Sequence, residues 1–262
     1  MKTTLKFTAP LFAFIIASLL FLGGCKKDDD NKGMTRMKVR MIDAPSPYNF
    51  QEVNIDVVGV ETHIDNQWYN LSFNPGIYNI LTLVNGTNVL IADDSVPAGH
   101  MSQLRLILGD NNTIKVDGVV YPLTIPSGSE SGLKLNVHED LPVDDYTLMI
   151  DFDAAHSIVV KGNNEYKLKP VLHAFTVETT GMVSGQVAPA LPGTAIIAVN
   201  NGNPDITYSA YADPVTGQFL LQGLVAGTYT VNVYPPGTNI PIVIVNVAVS
   251  DNTTTVLGII TI

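Results

Sequence analysis

The segment Ile150-Asp151-Phe152-Asp153-Ala154-Ala155-His156-Ser157 holds the strongest candidate for chemistry in the chain. On an extended strand, residues two apart share a face, so Asp151 and Asp153 project together while Ile150 and Phe152 turn to the core. Two carboxylates on one face repel unless a cation, a base or water lies between them. Calcium takes about six to eight oxygens, and Glu139, Asp140, Asp144 and Asp145 on the preceding connection are placed to fold back. Asp151 and Asp153 are therefore candidate calcium ligands, and calcium is the one cofactor suggested. A simpler reading puts Asp151 in solvent or against Lys134 or Lys169, with Asp153 accepting backbone N–H bonds in the Ala-Ala-His-Ser turn. The sequence favours this second reading. A hydrolytic pairing of Asp151 or Asp153 with His156 has no visible partner geometry.

Two other groupings invite chemistry. Asn66-Gln67-Trp68-Tyr69-Asn70 sets the only tryptophan beside a tyrosine among amides. An exposed indole with amide neighbours suits a sugar face, which makes Trp68 and Tyr69 candidate ligand-binding residues. The reading the sequence favours, however, is a tryptophan that closes a sandwich core. Ser131-Gly132-Leu133-Lys134 has the serine–lysine spacing of penicillin-recognising enzymes, which requires a helix. Here Leu133, Leu135 and Val137 alternate as a strand, so the pair points to opposite faces and is rejected. Gly128-Ser129-Glu130-Ser131-Gly132-Leu133-Lys134 likewise lacks the ending of a phosphate loop. The Asn-rich stretch from Asn200 to Asp205 reads as turn chemistry.

The lone cysteine, Cys25, cannot form an internal disulfide, and the five histidines are too scattered for zinc spacing. Before it stand Lys2 and Lys6, an apolar stretch from Phe7 to Leu22 and two glycines, the pattern of a secretory signal. Leu22-Gly23-Gly24-Cys25 is similar to the cleavage box of bacterial lipoproteins. That resemblance implies a signal peptide over 1–24, lipid attachment at Cys25 and anchorage to the outer membrane. Each buried methylene of such an anchor contributes about 0.8 kcal/mol. A transmembrane helix is the competing reading, but the apolar run is short of the ~20 residues needed. Residues 25–35 contain Lys26-Lys27-Asp28-Asp29-Asp30-Asn31-Lys32-Gly33, a run without an apolar member that is expected to be a disordered tether. The run is also similar to the export signal of Bacteroidetes surface lipoproteins, which implies the cell surface; a charged spacer facing the periplasm is the alternative.

The totals constrain partners. The 262 residues are 46% hydrophobic, enough for one or two sizeable cores, and the formal charge is -10. Starting at Cys25, 12 Lys and Arg face 24 Asp and Glu, so no nucleic-acid partner is expected and anionic lipid surfaces are disfavoured. The membrane is reached only through the lipid.

The elements that position these residues are strands. Arg36–Ile42, Glu52–Ile64, Gln103–Leu108, Leu133–Val137 and Tyr146–Phe152 alternate apolar and polar residues. Thr113–Ile125 reads as a hairpin turning at Asp117-Gly118, where positive φ is required. Further strands are expected at His156–Val160 and across Tyr166–Glu178, and a short helical turn at Gly76–Leu83. From Gly181 charge almost vanishes and short Val/Ile/Thr runs alternate with turn residues, with Thr179–Gly181 as the hinge. The expected fold is all-β, two β-sandwich domains over 36–178 and 181–262.

Gly185-Gln186-Val187, Asp213–Phe219 and Gly223–Tyr229 resemble the carboxypeptidase-regulatory-like domains, which implies a transthyretin-like C-terminal sandwich serving as spacer or interaction module. Ile42-Asp43-Ala44-Pro45, Pro97-Ala98-Gly99 with Gln103–Leu106, Pro126–Gly128, Asp151–Asp153 and Leu168–Val171 resemble bacterial lipoproteins grouped as domain of unknown function family 4382. The expected function is a surface lipoprotein acting as a non-catalytic binding module for a glycan or protein ligand. The alternative is a structural or fimbrial-type subunit, in which cleavage at Arg36 or Arg40 frees a groove for a partner strand.

Overall fold

Alternation in β1 (Met34–Ile42) buries Thr35, Met37, Val39 and Met41 and turns Arg36, Lys38 and Arg40 outward. In this computed structural model residues 33–43, 50–125 and 132–262 are described. The signal peptide, Cys25, the tether up to Lys32, Ala44-Pro45 and Pro126–Ser131 lie outside them. β1 begins two residues before the alternating run suggests, because Met34 pairs with Pro97 and the Thr35 hydroxyl donates to the Pro142 carbonyl.

β2 (Glu52–Ile64) buries Val53, Ile55 and Val57 and then slips register between Val57 and Gly59. The slip inserts one residue, exposes Val58 and lets Val60, Thr62 and Ile64 resume the inward face. Next come β3 (Gln67–Asn70), β4 (Gly76–Asn79), a 3₁₀ turn at Ile80–Thr82, β5 (Val89–Pro97) and β6 (His100–Leu108). β7 (Thr113–Val116) and β8 (Val119–Thr124) form the expected hairpin, with Asp117 at φ 49° and Gly118 at φ 79°. β9 (Leu133–Asp140) and β10 (Asp145–Phe152) follow, then a single turn of helix, α1 (Ala154–Ser157), and β11 (Ile158–Lys161). The apolar run around Pro170 makes two strands, β12 (Glu165–Leu168) and β13 (Leu172–Thr176), which go to different sheets.

The first sandwich packs a four-stranded sheet, β13-β10-β1-β5, against a nine-stranded sheet, β11-β12-β8-β7-β2-β6-β9 with β3 and β4 also on β2. Met37, Ile55, Leu104, Leu148 and Phe152 fill the space between, each with no exposed surface.

The second sandwich has its own core. β14 (Gly181–Ala188), β17 (Gln218–Leu224) and β20 (Thr254–Thr261) make one sheet, while β15 (Ala195–Asn200), β16 (Thr207–Tyr211), β18 (Gly227–Tyr234) and β19 (Ile242–Val249) make the other. Val183, Phe219, Tyr229 and Val231 lie between them. The turn before β17 is closed by Asp213, whose Oδ1 accepts the Val215 amide at 2.9 Å. The same oxygen accepts the Thr216 amide at 2.7 Å, the usual way an aspartate side chain holds a turn. The fold is thus all-β, as expected.

The Thr179–Gly181 connection, expected as a hinge, is tied through Thr180 to both sandwiches. The Thr180 hydroxyl donates to the Thr176 carbonyl, and the Thr180 carbonyl accepts the Asn252 amide at 2.7 Å. Just before it, on β13, Phe175 packs on Gly223, which sits at φ 74°. A glycine takes that conformation without strain, and a Cβ there would lie 2.7 Å from Phe175 Cγ. Among the described residues no helix is long and apolar enough to cross a membrane.

Candidate functional site

β10 has two chemically different faces. Tyr146, Leu148, Ile150 and Phe152 enter the core, as the alternation requires, so Met149 and Asp151 lie on the sheet's other face. The parallel pairing with β1 sets Ile42 beside Asp151, and the antiparallel pairing with β13 sets His173 on its other side. The same register sets Phe175 beside Met149, on the face where the second sandwich packs.

Asp151 Oδ1 is sealed from solvent and has no hydrogen-bond partner. Burial, reinforced by the charge of Asp153, pushes its carboxyl from 3.8 up to about 7. It forms no ion pair with Lys134 or Lys169 and does not stand in solvent, contrary to the simpler expectation. Removing a carboxylate from water without a partner is unfavourable, and the sheet imposes that position.

Asp153 lies one residue past the end of β10 and caps α1. Its Oδ1 accepts the His156 amide at 3.0 Å. Its Oδ2 lies 2.7 Å from His156 Nδ1. Asp43 Oδ1 accepts the Ala154 amide at 2.9 Å, which fixes this turn against the end of β1. Ser157 is buried, with its Oγ accepting the Val171 amide at 2.8 Å.

Asp43, Asp151, Asp153 and His156 line one side of a cleft of about 440 Å³ whose other side comes from the second sandwich. Asp151, Asp153 and His173 face Tyr208, Tyr211 and Gln222 across it. Glu139 also borders it, and among the described lining residues there is no lysine or arginine.

The calcium expectation meets a different arrangement. Asp145 sits at the opposite end of β10, 3.3 Å from Lys38 Nζ, and Asp140 Oδ1 lies 2.8 Å from His100 Nδ1. Of the four acids expected to fold back, Glu139 alone borders the cleft. Among the described residues no group of three or more His, Cys, Asp or Glu is placed to hold a metal ion. Asp151 and Asp153 thus share a cleft without forming a cage for a hard cation.

Trp68 and Tyr69 are neighbours that face opposite ways. Trp68 is 42% exposed on the outer side of the nine-stranded sheet, so it does not close the core. The Arg105 guanidinium lies 3.9 Å from its ring centroid, and the His63 ring is at 4.9 Å. A cation over an indole face is held by the ring's quadrupole. Arg105 is held in turn by Glu61 at 2.8 Å. Tyr69 packs against the core and donates its hydroxyl to Gln67 Oε1 at 3.1 Å. The two rings therefore form no common platform.

Asn200 Oδ1 accepts the amides of Gly202 and Asn203, which is turn chemistry. Lys134 lies on β9, and Ser131 is outside the described residues. Arg36 is bound to Asp93 at 2.9 and 2.8 Å, and Arg40 to Asn88, both within the paired strand β1. His173, Phe175, Tyr208 and Tyr211 carry no signal in the sequence. Only the strand register and the packing of two sandwiches bring them to Asp151.

Fold and cleft together define an all-β protein of two sandwiches with an acidic crevice between them. The family described as Domain of unknown function (DUF4382) matches residues 34–170, more than half of the chain, and the chain belongs to it. The C-terminal sandwich lies outside that match.

Comparison with curated protein sequences finds no match. Among solved structures the chain is similar to the Bacillus anthracis TIE protein at 9% identity and a TM-score of 0.24, covering 87% of this chain and 34% of that one. It is also similar to a fimbrial protein from Bacteroides ovatus, at 10% identity and a TM-score of 0.25, covering 88% and 50%. A streptococcal ancillary pilin matches at 14% identity and a TM-score of 0.20, covering 87% and 62%. The chain spans less than two thirds of the length of each of those proteins, and scores this low transfer nothing from them.

Proposed function

We propose that this protein is a lipid-anchored binding module of the outer membrane, held by Cys25 at the cell surface, that takes its ligand in the cleft between its two sandwiches. Ligand capture, without catalysis, is the role. The observation that carries it is the cleft itself, with Asp151, whose Oδ1 has no hydrogen-bond partner, among its lining residues. Clefts at the junction of two folded bodies are the usual place for ligand sites. Among the described residues the Asp153–His156 pair has no nucleophile joined to it, and Ser157 is buried and bound to Val171. The second sandwich supplies one wall, which gives a transthyretin-like interaction module a direct part in binding. The address rests on the lipoprotein-like signal and the charged run after Cys25.

The test is a ligand-observed NMR fragment screen of the full chain in detergent, run beside Ser209→Trp. Ser209 is exposed on β16 and borders the cleft, so an indole there fills it without touching either core. Hits lost in the tryptophan variant support the reading. Hits that survive it, or that depend on Trp68, contradict it. Labelling intact cells with an impermeant reagent tests the address: a protein labelled only after lysis is not at the surface.

A second reading, an assembly subunit, is favoured by one observation. Val243 and Val245 on β19, and Val256 and Ile259 on β20, are exposed on strands at sheet edges. A monomer by light scattering at high concentration would remove it.

A further inference from the structure

Resting on the cleft reading above, we propose that the ligand presents an organic cation, an ammonium or guanidinium group, which docks against the Asp151 carboxylate. Buried polar atoms in folded proteins are nearly always hydrogen-bonded, and leaving one without a partner is unfavourable. Asp151 Oδ1 is such an exception, and the residue that carries it lines an open cleft rather than a closed core. A ligand that donates hydrogen bonds to the Asp151 carboxyl, once that group turns toward the cleft, supplies the missing partner.

The charge of the walls selects the donor. Asp43, Glu139, Asp151 and Asp153 border the cleft, and among its described lining residues there is no lysine or arginine. An anion is repelled there. The two histidines on the wall do not neutralise Asp151: His156 Nδ1 is engaged by Asp153, and His173 stands opposite in register without a bond to Oδ1. A divalent metal is a poor fit, because no group of three or more ligating side chains gathers among the described residues.

An organic cation needs fewer charged groups and brings its own hydrogen-bond donors, so one carboxylate and aromatic faces suffice. The aromatic faces are present. Phe175, Tyr208 and Tyr211 border the same cleft, and the Tyr208 ring is steadied at 6.0 Å by the buried Tyr229. The cation can come from a basic side chain of a polypeptide or from an amino sugar; the recognising chemistry is the same.

The experiment is isothermal titration of the full chain in detergent with Nα-acetyl-lysine amide and Nα-acetyl-arginine amide, and with their neutral counterparts, the norleucine and citrulline amides. Glucosamine and glucose form a second pair. At least one cationic probe is expected to bind ten-fold or more tightly than its neutral partner, and Asp151→Asn is expected to remove that preference. Tyr208→Leu should weaken the cationic probe several-fold, while Trp68→Ala should leave it unchanged. Preference for a basic amino-acid amide over glucosamine identifies a polypeptide source, and the reverse an amino sugar; either supports the proposal. Equal affinity for charged and neutral probes, abolished by Ser209→Trp, overturns the cation and leaves the cleft as a binding site. Binding that ignores Asp151→Asn overturns it as well. Absence of binding by every probe also overturns it, while the cleft reading is judged by the fragment screen.

Discussion

Replacing Asp151 by Asn should make the protein more stable, by an amount that grows with pH. The native carboxyl is held at about 7 by burial and by Asp153, against 3.8 for the free group. Because the folded value is raised, the stabilising contribution is complete below about 3.8 and is lost as pH rises through about 7. One pKa unit corresponds to about 1.36 kcal/mol, so the full penalty above pH 8 is at most about 4 kcal/mol. Between pH 5 and pH 8 the wild type loses about 2.5 kcal/mol of this, whereas the Asn variant, which cannot ionise, loses none of it. For a body of this size, about 1 kcal/mol moves Tm by about 2–4 °C. Differential scanning calorimetry should therefore show the gap between variant and wild type widening by about 5–10 °C from pH 5 to pH 8. Parallel curves, with a gap that does not change with pH, would refute the burial argument. A variant less stable than wild type at pH 8 would show that Asp151 is paired in the folded protein.

Other consequences follow from single contacts. Arg105 stacks on Trp68, so Arg105→Ala should red-shift the emission of this lone tryptophan and cost about 0.5–1 kcal/mol; unchanged emission would contradict the stacking. Gly217 sits at φ 71°, and a Cβ there meets the Val187 carbonyl oxygen. Gly217→Ala should therefore cost about 2 kcal/mol or more, and a thermal melt indistinguishable from wild type would contradict the turn geometry. Asp213→Ala removes the acceptor of two turn amides. It should cost about 1 kcal/mol by urea unfolding, and an unchanged midpoint would show that the turn closes without it. Trypsin should leave the bonds after Arg36 and Arg40 intact under native conditions, since β1 is paired on both sides; rapid native cleavage there would support the maturation route of an assembly subunit.

Much of the fold is legible because strand alternation is a local signal. Glu52–Ile64 is one strand from end to end, and Asp117-Gly118 turns its hairpin. The slip at Val57/Gly59 is not legible, because Val57, Val58 and Val60 read equally well on either face until β6 fixes the register. Nor is the parting of β12 and β13, where Pro170 breaks one apolar run and each half finds a different sheet. Alternation carries the strand through Asp153, but that side chain competes for backbone amides and starts a helical turn instead. The cleft is least legible. Asp151 stands out in the sequence for its pairing with Asp153, yet what makes it unusual is burial between β1 and β13 and the approach of β16 from another sandwich. No pattern within a few residues carries that information.

The most direct test of the central claim is an amide NMR map of the isotope-labelled chain titrated with whichever cationic probe binds best. The largest shifts should fall together on Asp151, Asp153, His173, Tyr208 and Tyr211, on both walls of the cleft. Shifts confined to the Trp68 face, or to one sandwich alone, would contradict it.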